Sequence, residues 1–311
     1  MTRPIPELSE LRPLGDGPRL VALIAPAGAV LAERIDTTCA LLTAMGYTPR
    51  LMDNARARHR YLAGTVEQRL EDFHAAFNLA DVAAVWCLRG GYGCAQLIDH
   101  INWDALPDVP LLGYSDISVL LSAFHARVRR AIHAPVATEL ALCEQTDGLE
   151  RQARLEAMAS IAPLLAGESG HMSAEHAAGP TAPVEGVLIG GNLTTLASVA
   201  GTPAALHVPE GSILMLEDVG ERLYRLERSL CQLLESLDAS RLNAVCLGSF
   251  TGCDSGDSSI EAVLEEWLAP HDIALYHHLP FGHGEHNRAW PVGQTARLDA
   301  SGLDWSPAST L

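Results

Sequence analysis

The feature that most constrains the fold is an alternation, in the first half of the chain, of short apolar runs with amphipathic stretches. The apolar runs predict buried strands, and the stretches with helical spacing predict the helices between them. The strands fall at Leu20–Ile24, Thr48–Met52, Val82–Cys87 and Leu111–Leu112, and the helices at Val30–Met45, Thr65–Leu79 and Ile117–Arg129. Apolar strands joined by helices indicate a parallel sheet covered on both faces. We therefore predict an α/β fold whose functional loops lie at the carboxyl ends of the strands.

Small residues and two prolines replace this periodicity between Gly167 and Pro183, which is typical of a linker. The segment after it has further apolar runs and one helix that carries leucines on a single face. These runs are Val184–Ile189, Ile213–Leu216, Ala244–Leu247 and Ile273–Tyr276. A length of 311 residues is enough for two domains. We predict an α/β domain over residues 1–170, a linker over 171–183 and a second α/β domain over 184–311.

The charged residues exclude several classes of protein. All 21 basic residues are arginines, and the 38 acidic residues give a formal net charge of −17. Without a lysine, the chain can form neither the P-loop of a nucleotide phosphatase nor a lysine Schiff base. An acidic chain with no basic patch also lacks the cationic face that phosphate contacts require. We expect no nucleic-acid partner.

The cysteines and the apolar segments bear on the compartment. Seven cysteines occur without a Cys-x-x-Cys pair, which favours reduced, packed thiols over a disulfide framework or a zinc knuckle. The apolar stretch Leu20–Ala32 is interrupted by Pro26 and Gly28 and is too short to span a membrane. We expect a cytoplasmic protein without membrane association.

Ser115 lies between a predicted strand and a predicted helix, in the sequence Gly113-Tyr-Ser-Asp-Ile-Ser118. A sharp turn would lift its hydroxyl off the sheet, and N–H groups at the helix start could hold an oxyanion. The pattern is not Gly-x-Ser-x-Gly, because Ile117 occupies the place of the second glycine. Two interpretations stay open: Ser115 is a nucleophile, or Ser115 or Asp116 merely caps the helix.

A glycine-rich loop, Arg89-Gly-Gly-Tyr-Gly93, follows another predicted strand and should lie at the same edge of the sheet. Glycines let the backbone approach a ligand closely and leave N–H groups free to donate, although a tight turn is the commoner use. The loop is not Gly-x-Gly-x-x-Gly, so it gives no support to a dinucleotide site. We expect no cofactor.

Two residues of the second half could complete a hydrolase site. Glu217 ends an apolar run, where a carboxylate could orient a histidine, although Asp218 and Glu221 are nearby competitors. His283 lies in a glycine-flanked loop and is suited to act as a general base. The order serine, glutamate, histidine is a workable one for a catalytic triad.

The residues around His283 raise an alternative, a metal site. His277, His278 and His286 stand close to it in the chain, with Glu285 between His283 and His286. The cluster lacks His-Glu-x-x-His spacing and does not fall on one helical face. We therefore expect a general base at His283, surface imidazoles at the other positions and no metal.

Several blocks of the sequence, taken together and in order, resemble the LD-carboxypeptidases, or muramoyltetrapeptide carboxypeptidases, of serine peptidase family S66. The resemblance extends from about Leu20 to Gly293. The blocks are Tyr61-Leu-Ala-Gly64, Arg89-Gly-Gly-Tyr-Gly93, Gly113-Tyr-Ser-Asp-Ile-Ser118, Gly190-Gly-Asn-Leu193, Gly201-Thr-Pro203, Leu216-Glu-Asp-Val-Gly-Glu221 with Tyr224-Arg225, and Phe281-Gly-His283. Ser118 departs from the threonine expected in many relatives.

The resemblance implies a serine peptidase with a triad across two domains. Ser115 would be the nucleophile, His283 the base and Glu217 the residue that orients it. The oxyanion would be held by the backbone N–H groups of Gly91 and Asp116. The N-terminal domain would be flavodoxin-like or class I amidotransferase-like, the C-terminal domain smaller and mixed α/β, and the protein a homodimer.

The implied reaction releases the terminal D-alanine from murein tetrapeptide that contains meso-diaminopimelate, in the recycling of peptidoglycan. Because the chain has no lysine, an arginine or backbone N–H groups would bind the terminal carboxylate. Arg89 is the candidate, and Tyr92 and Asn192 are further candidates for substrate contacts.

Two other functions stay open. The microcin-immunity branch of the same family hydrolyses peptidyl-aminoacyl nucleotides and needs an aromatic side chain to stack on a base; Trp290 is the obvious aromatic beside His283. A protein that binds muropeptides without cleaving them is the other alternative. In that case Ser115 would serve only as a helix cap.

Overall fold

The computed structural model describes residues 7–8, 11–253 and 258–306, which form two β-sheets with helices packed on them. The helices are α1 (Ala32–Ala44), α2 (Val66–Phe77), α3 (Ser118–His125), α4 (Glu139–Gln145), α5 (Gly148–Ala159), α6 (Ile161–Leu165), α7 (Leu193–Ser198), α8 (Leu223–Ser236) and α9 (Ile260–Leu268). The predicted outer domain bounds, residues 1 and 311, lie outside the described residues.

The first sheet has the strand order β12-β5-β4-β3-β1-β2. Its strands are β1 (Leu20–Ile24), β2 (Thr48–Leu51), β3 (Val82–Cys87), β4 (Leu111–Gly113), β5 (Ala131–His133) and β12 (Trp290–Val292). Strands β1 to β5 run parallel, and β12 is antiparallel to β5. The parallel sheet predicted from the apolar runs is confirmed, and it brings the loops after β1, β3 and β4 to one edge.

The second sheet has the order β6-β14-β13-β8-β9-β10-β11-β7. Its strands are β6 (Gly170–Met172), β7 (Glu175–Ala178), β8 (Val184–Asn192), β9 (Ser212–Val219), β10 (Leu242–Thr251), β11 (Ala274–His277), β13 (Thr295–Asp299) and β14 (Gly302–Trp305). The four central strands from β8 to β11 are parallel, and the strands outside them pair antiparallel. The second half is therefore a mixed α/β unit.

The central strands of the second sheet are buried on both faces, because successive side chains point to opposite sides. In β9, Ile213 and Met215 join the hydrophobic core that also surrounds the first sheet. Leu214 and Leu216 join a second core formed with the leucines of α8. One face of the second sheet thus packs against the first half of the molecule.

The structure differs from the predicted domain boundaries at two places. The segment 171–183 contains part of β6 and all of β7, which pair with β14 and β11 at opposite edges of the second sheet. Edge strands are short and rich in small or charged residues, so their composition resembles that of a linker. Strand β12, from the predicted second domain, completes the first sheet.

Helix α3 is shorter than the predicted span of Ile117–Arg129. It ends at His125 because the chain turns there, with Val128 in the left-handed region at φ 54°. The backbone N–H of Arg129 donates to the Phe124 carbonyl at 2.9 Å and closes the turn. This reversal leads directly into β5.

The two halves meet where the end of β8 approaches α3. A Cβ on Gly191 would lie 2.2 Å from Ser118 Oγ, so only a glycine permits this approach. The Asn192 N–H donates to Ser118 Oγ at 3.1 Å. In the ladder between β8 and β9, Asn192 is opposite Glu217. The contact therefore fixes Glu217 relative to the start of α3, three residues after Ser115.

We expect Gly191→Ala to lower the free energy of unfolding more than Gly201→Ala, measured by urea denaturation. Both glycines have positive φ, 137° and 76°, but nothing lies within 4 Å of a Cβ at Gly201. Gly201→Ala should cost about 1 kcal/mol for the strained backbone alone. Gly191→Ala should cost about 1–3 kcal/mol more, because its methyl group overlaps Ser118. Equal losses in the two variants would contradict the close contact.

Candidate active site

Ser115 lies at the carboxyl end of β4, where the chain makes a sharp turn into α3. Its φ of 66° is in the left-handed region, which is strained for a residue with a Cβ. Residues 115–117 form a single 3-10 turn before α3. This is the strand-to-helix geometry that exposes a nucleophilic hydroxyl, although Ile117 replaces the usual second glycine.

The helix-cap alternative for this turn is not observed. Helix α3 has no side-chain cap, and neither Ser115 nor Asp116 caps the 3-10 turn that precedes it. Instead, Ser115 Oγ lies 3.2 Å from His283 Nε2, and the Asp116 carboxylate accepts the Cys94 N–H at 2.9 Å. The hydroxyl of Ser115 is thus directed to an imidazole.

His283 connects Ser115 to Glu217. Its Nδ1 lies 2.7 Å from Glu217 Oε2, and its backbone N–H donates to the same oxygen at 3.2 Å. The second contact fixes the backbone as well as the ring. The sequence predicted these three residues as a set, and the structure brings them together over separations of 66 and 168 residues along the chain.

Glu217 is fully buried at 0% exposure, and its Oε1 has no hydrogen-bond partner among the described residues. A Cβ on Gly282 would lie 2.6 Å from Glu217 Cβ, so a glycine is needed directly before His283. Neither competitor for the role of Glu217 contacts the imidazole. Asp218 accepts from Asn192 Nδ2 and the Thr194 N–H, and Glu221 pairs with Arg225 at 3.5 Å.

The pKa of His283 is raised above its ordinary value of about 6.5. Burial alone would lower this pKa, because desolvation disfavours the imidazolium. The hydrogen bond and charge of Glu217 outweigh burial, with further contributions from the charges of Asp218 and Glu139. The site therefore stabilises the imidazolium that a general base forms when it takes a proton.

Glu139, at the start of α4, is a charged residue of this site that the sequence analysis missed. It is buried, and its Oε2 lies 3.5 Å from Arg154 Nη1. Burial raises the pKa of Glu139, while the Tyr114 hydroxyl and the Arg154 charge oppose the rise. Tyr114 directly precedes Ser115 in the chain, and its ring lies 4.7 Å from the His283 ring. From the sequence alone, a buried glutamate in the first turn of a helix cannot be distinguished from a solvent-exposed one.

Gly90 and Gly91 pass directly beside the nucleophile. A Cβ on Gly90 would lie 2.7 Å from Ser115 Cβ, 2.9 Å from its Oγ and 3.3 Å from the Asp116 backbone nitrogen. Gly91 has φ 118°, and its N–H donates to no acceptor among the described residues. Of the two predicted oxyanion donors, Asp116 directly follows Ser115, and Gly91 follows the glycine that approaches the Ser115 hydroxyl. Their role stays a prediction.

Arg69 holds the glycine loop and was also missed. Its buried Nη1 donates to the carbonyls of Pro26 at 2.8 Å and Gly93 at 2.9 Å, and its Nη2 donates to Gln96 Oε1 at 2.6 Å. A Cβ on Gly93 would lie 2.5 Å from that Nη1. Helical spacing places Arg69 on the same buried face of α2 as Phe73, which was the available signal.

The predicted substrate contacts have different surroundings. Arg89 is exposed, and its guanidinium donates one hydrogen bond to the Ala29 carbonyl at 2.9 Å. Its other N–H groups therefore face solvent. Tyr92 is 51% exposed, and its ring lies 5.9 Å from that of Tyr61. Asn192 is buried: its Oδ1 caps α7 and its Nδ2 donates to Asp218, so the structure gives it a structural role. Substrate contacts at all three remain predictions.

Trp290 does not face the site, contrary to what a base-stacking role would need. It is fully buried in β12 and stacks on His133, with 5.0 Å between the rings.

The alternative metal site around His283 is not assembled either. Both ring nitrogens of His283 face Ser115 and Glu217, while Glu285 and His286 are exposed.

Two family models match the chain: the LD-carboxypeptidase N-terminal domain over residues 21–134 and the LD-carboxypeptidase C-terminal domain over residues 185–298. The chain is 54% identical over 290 residues to the murein tetrapeptide carboxypeptidase of Pseudomonas aeruginosa, covering 92% of this chain and 94% of that protein.

Solved structures have the same fold. The muramoyltetrapeptide carboxypeptidase of Oxalobacter formigenes is 29% identical, with a TM-score of 0.78, and the match covers 92% of this chain and 98% of that one. The microcin C7 self-immunity protein MccF is 17% identical, with a TM-score of 0.82 over 96% of this chain and 98% of that one. The second likeness concerns the fold alone.

The chain belongs to the LD-carboxypeptidase family of S66 peptidases and is a carboxypeptidase. The resemblance identified from the sequence blocks is confirmed, as is the two-part α/β fold. In the part of the chain that the structure describes, no helix combines the length and apolar character needed to cross a bilayer.

We expect Glu217→Gln to lower the pKa of His283, and Glu139→Gln to lower it by less, because each change removes a negative charge that favours the imidazolium. The measurement is an NMR titration of the imidazole carbons, with the His283 signal assigned by its loss in His283→Asn. Burial and the nearby charge of His283 lower the pKa of His133 to about 3, so the two signals are distinguished by the pH range in which each titrates. An unchanged pKa in Glu217→Gln would contradict the electrostatic account.

Proposed function

We propose that this carboxypeptidase is a serine LD-carboxypeptidase that releases the terminal D-alanine from murein tetrapeptide containing meso-diaminopimelate. The observation that carries the proposal is the continuous chain of contacts from Ser115 Oγ to His283 Nε2 and from His283 Nδ1 to Glu217 Oε2. The name of the relative at 54% identity supports the substrate.

Acylation begins when Ser115 Oγ attacks the carbonyl carbon at the L-centre of meso-diaminopimelate. The hydroxyl proton passes to His283 Nε2, which lies 3.2 Å away. Glu217 accepts a hydrogen bond from the Nδ1–H group, which keeps the imidazole in the tautomer whose Nε2 can take a proton. The buried carboxylate then stabilises the imidazolium by its charge.

The tetrahedral intermediate carries its negative charge on the former carbonyl oxygen. The backbone N–H groups of Gly91 and Asp116 are the donors we assign to it. Removing one such donor typically costs about 2.7–4 kcal/mol of transition-state stabilisation. The left-handed turn at Ser115 supports the assignment, because it directs the hydroxyl and the following N–H group to the same side.

Collapse of the intermediate breaks the bond between carbonyl carbon and nitrogen, and the imidazolium of His283 gives its proton to the departing D-alanine amine. Water then attacks the acyl-Ser115 ester and transfers a proton to His283, and the ester oxygen of Ser115 is reprotonated as the peptide leaves. All steps use groups of this chain, water and the substrate.

We further infer a cytoplasmic place in peptidoglycan recycling. Six cysteines have free thiols, which is typical of a protein in a reducing compartment: Cys39, Cys87, Cys94, Cys143, Cys231 and Cys246. The homodimer is inferred from the resemblance in the sequence blocks alone, and light scattering would distinguish it from a 33.2 kDa monomer.

The microcin-immunity and binding-protein alternatives lack support from particular residues. The buried position of Trp290 removes the aromatic side chain that could have stacked on a nucleotide base. A non-catalytic binding protein would not require a buried carboxylate, an imidazole and a strained serine in hydrogen-bond sequence.

We expect Ser115→Ala to reduce D-alanine release from meso-diaminopimelate tetrapeptide by about 10⁴-fold or more, because the nucleophile is lost. D-alanine is measured by a coupled D-amino-acid oxidase assay, with a chelator present in parallel samples. The matched control is Ser122→Ala, a serine of α3 whose hydroxyl lies 3.4 Å from the His207 backbone nitrogen.

Ser122→Ala and chelator should both leave release unchanged within a few fold. Release that survives in Ser115→Ala would contradict the serine mechanism, and release that chelator stops while the protein stays folded would point to a metal enzyme. Folded wild type that binds tetrapeptide without releasing D-alanine would support a binding protein. Cleavage of a peptidyl-aminoacyl nucleotide, without cleavage of tetrapeptide, would support the microcin-immunity branch.

A further inference from the structure

A group of side chains that could bind a metal ion lies outside the active site, at the edge of the second sheet where β7 pairs with β11. Glu175, His277 and His278 each offer one ligand atom, and all three atoms lie within 4.8 Å of one another. It is the one group of three or more such side chains found among the described residues.

The backbone brings these side chains together in two ways. Glu175 and His277 are directly opposite each other in the antiparallel ladder, so their side chains share one face of the sheet. His278 would point to the other face if the strand continued, but its φ of 60° places it in the left-handed region. As a result the two imidazole rings stack face to face, with 4.0 Å between their centroids.

The strained backbone at His278 needs an explanation. This region is unfavourable for a residue with a Cβ, and glycine or asparagine is the usual choice there. The turn gives His278 no buried position in return, because its side chain is 63% exposed. It does place a second imidazole against the same carboxylate.

The distances fit a tetrahedral ion. Glu175 Oε2 lies 3.8 Å from His277 Nε2 and 3.3 Å from His278 Nδ1. Ligand atoms at about 2.1 Å from a tetrahedral Zn²⁺ are about 3.4 Å from each other. Small rotations of two exposed side chains would therefore bring all three atoms to bonding distance.

We infer that Glu175, His277 and His278 form a binding site for a first-row transition-metal ion, with Zn²⁺ as the best fit. Two imidazoles and one carboxylate are a common set of protein ligands for Zn²⁺, with water at the fourth position. The site is separate from the catalytic residues, because both ring nitrogens of His283 face Ser115 and Glu217.

The bound ion would hold the edge strand β7 to the end of β11. The chain continues from His278 through Leu279, whose N–H donates to the Leu247 carbonyl at 3.1 Å, to the loop that carries His283. An ion at this position therefore connects the start of that loop to a neighbouring strand. Because the ligands come together only in the folded chain, binding stabilises the native state.

The test is a titration of untagged, full-length protein with Zn²⁺, by calorimetry and by competition with a chromophoric chelator. We expect one ion per chain and a rise in Tm with zinc. Glu175→Gln, His277→Ala and His278→Ala should each weaken zinc binding. Loss of an outer-shell partner typically lowers metal affinity by about 10–100-fold, and loss of a direct ligand should lower it by at least as much. The Tm without metal shows whether each variant remains folded.

Two controls make the result specific. His171 and Asp304 form an exposed imidazole–carboxylate pair at 2.9 Å with no third ligand, so His171→Ala should bind zinc as wild type does. His283→Ala should also retain binding. No binding by wild type would overturn the proposal. Zinc binding that survives in all three ligand variants would also overturn it. Loss of zinc binding in His283→Ala or in His171→Ala would do the same. None of these outcomes depends on the proposed peptidase activity.

Discussion

The arrangement of Ser115, His283 and Glu217 depends on one close contact between the two halves of the molecule, where Gly191 meets Ser118. The missing Cβ of Gly191 allows β8 to reach the first turn of α3. The Asn192 N–H then bonds to the Ser118 hydroxyl. Because Asn192 is opposite Glu217 in the sheet, this contact sets the distance between Glu217 and the turn that carries Ser115.

The same contact bears on Ser118, where the resemblance leads us to expect threonine in many relatives. A threonine would carry the same hydroxyl, which in this chain accepts the Asn192 N–H. Serine keeps this acceptor and omits a methyl group in a place where even the Cβ of an alanine at Gly191 would overlap. The departure therefore preserves the interaction on which the site depends.

Electrostatics then determine what the assembled residues can do. Glu217 is buried, and its Oε1 has no hydrogen-bond partner among the described residues, so its charge acts mainly on His283. Glu139 adds a second carboxyl group behind Tyr114. Both favour the imidazolium and so assist the proton transfer from Ser115. As the pH falls through the raised pKa of His283, the base becomes protonated before attack, and activity should decline.

The sequence predicted the parts of this arrangement that follow a local pattern. Four of the five parallel strands of the first sheet, β1 to β4, were predicted from the sequence, whereas the three-residue strand β5 was missed. Ser115 and Glu217 lie at or just after the end of an apolar run, and His283 lies in a glycine-flanked loop further along the chain. The resemblance of the sequence blocks to the family then implied that these three residues form a triad.

Other features depend on packing between distant segments and could not be read in advance. Strand β12 is only three residues long, and its pairing with β5 is a tertiary contact. Arg69 and Glu139 are charged residues on helices, where a polar residue usually indicates a solvated position. Only the fold shows that both are buried against the site.

The central claim is that Ser115 is the nucleophile and that His283 activates it. The most direct test is the reaction of the protein with a phosphonate analogue of the tetrapeptide, followed by intact-mass measurement and peptide mapping. We predict one phosphonyl group per active chain on Ser115, with loss of the leaving group, and slow labelling in His283→Ala. Labelling at another residue, or equal labelling in Ser115→Ala, would contradict the account.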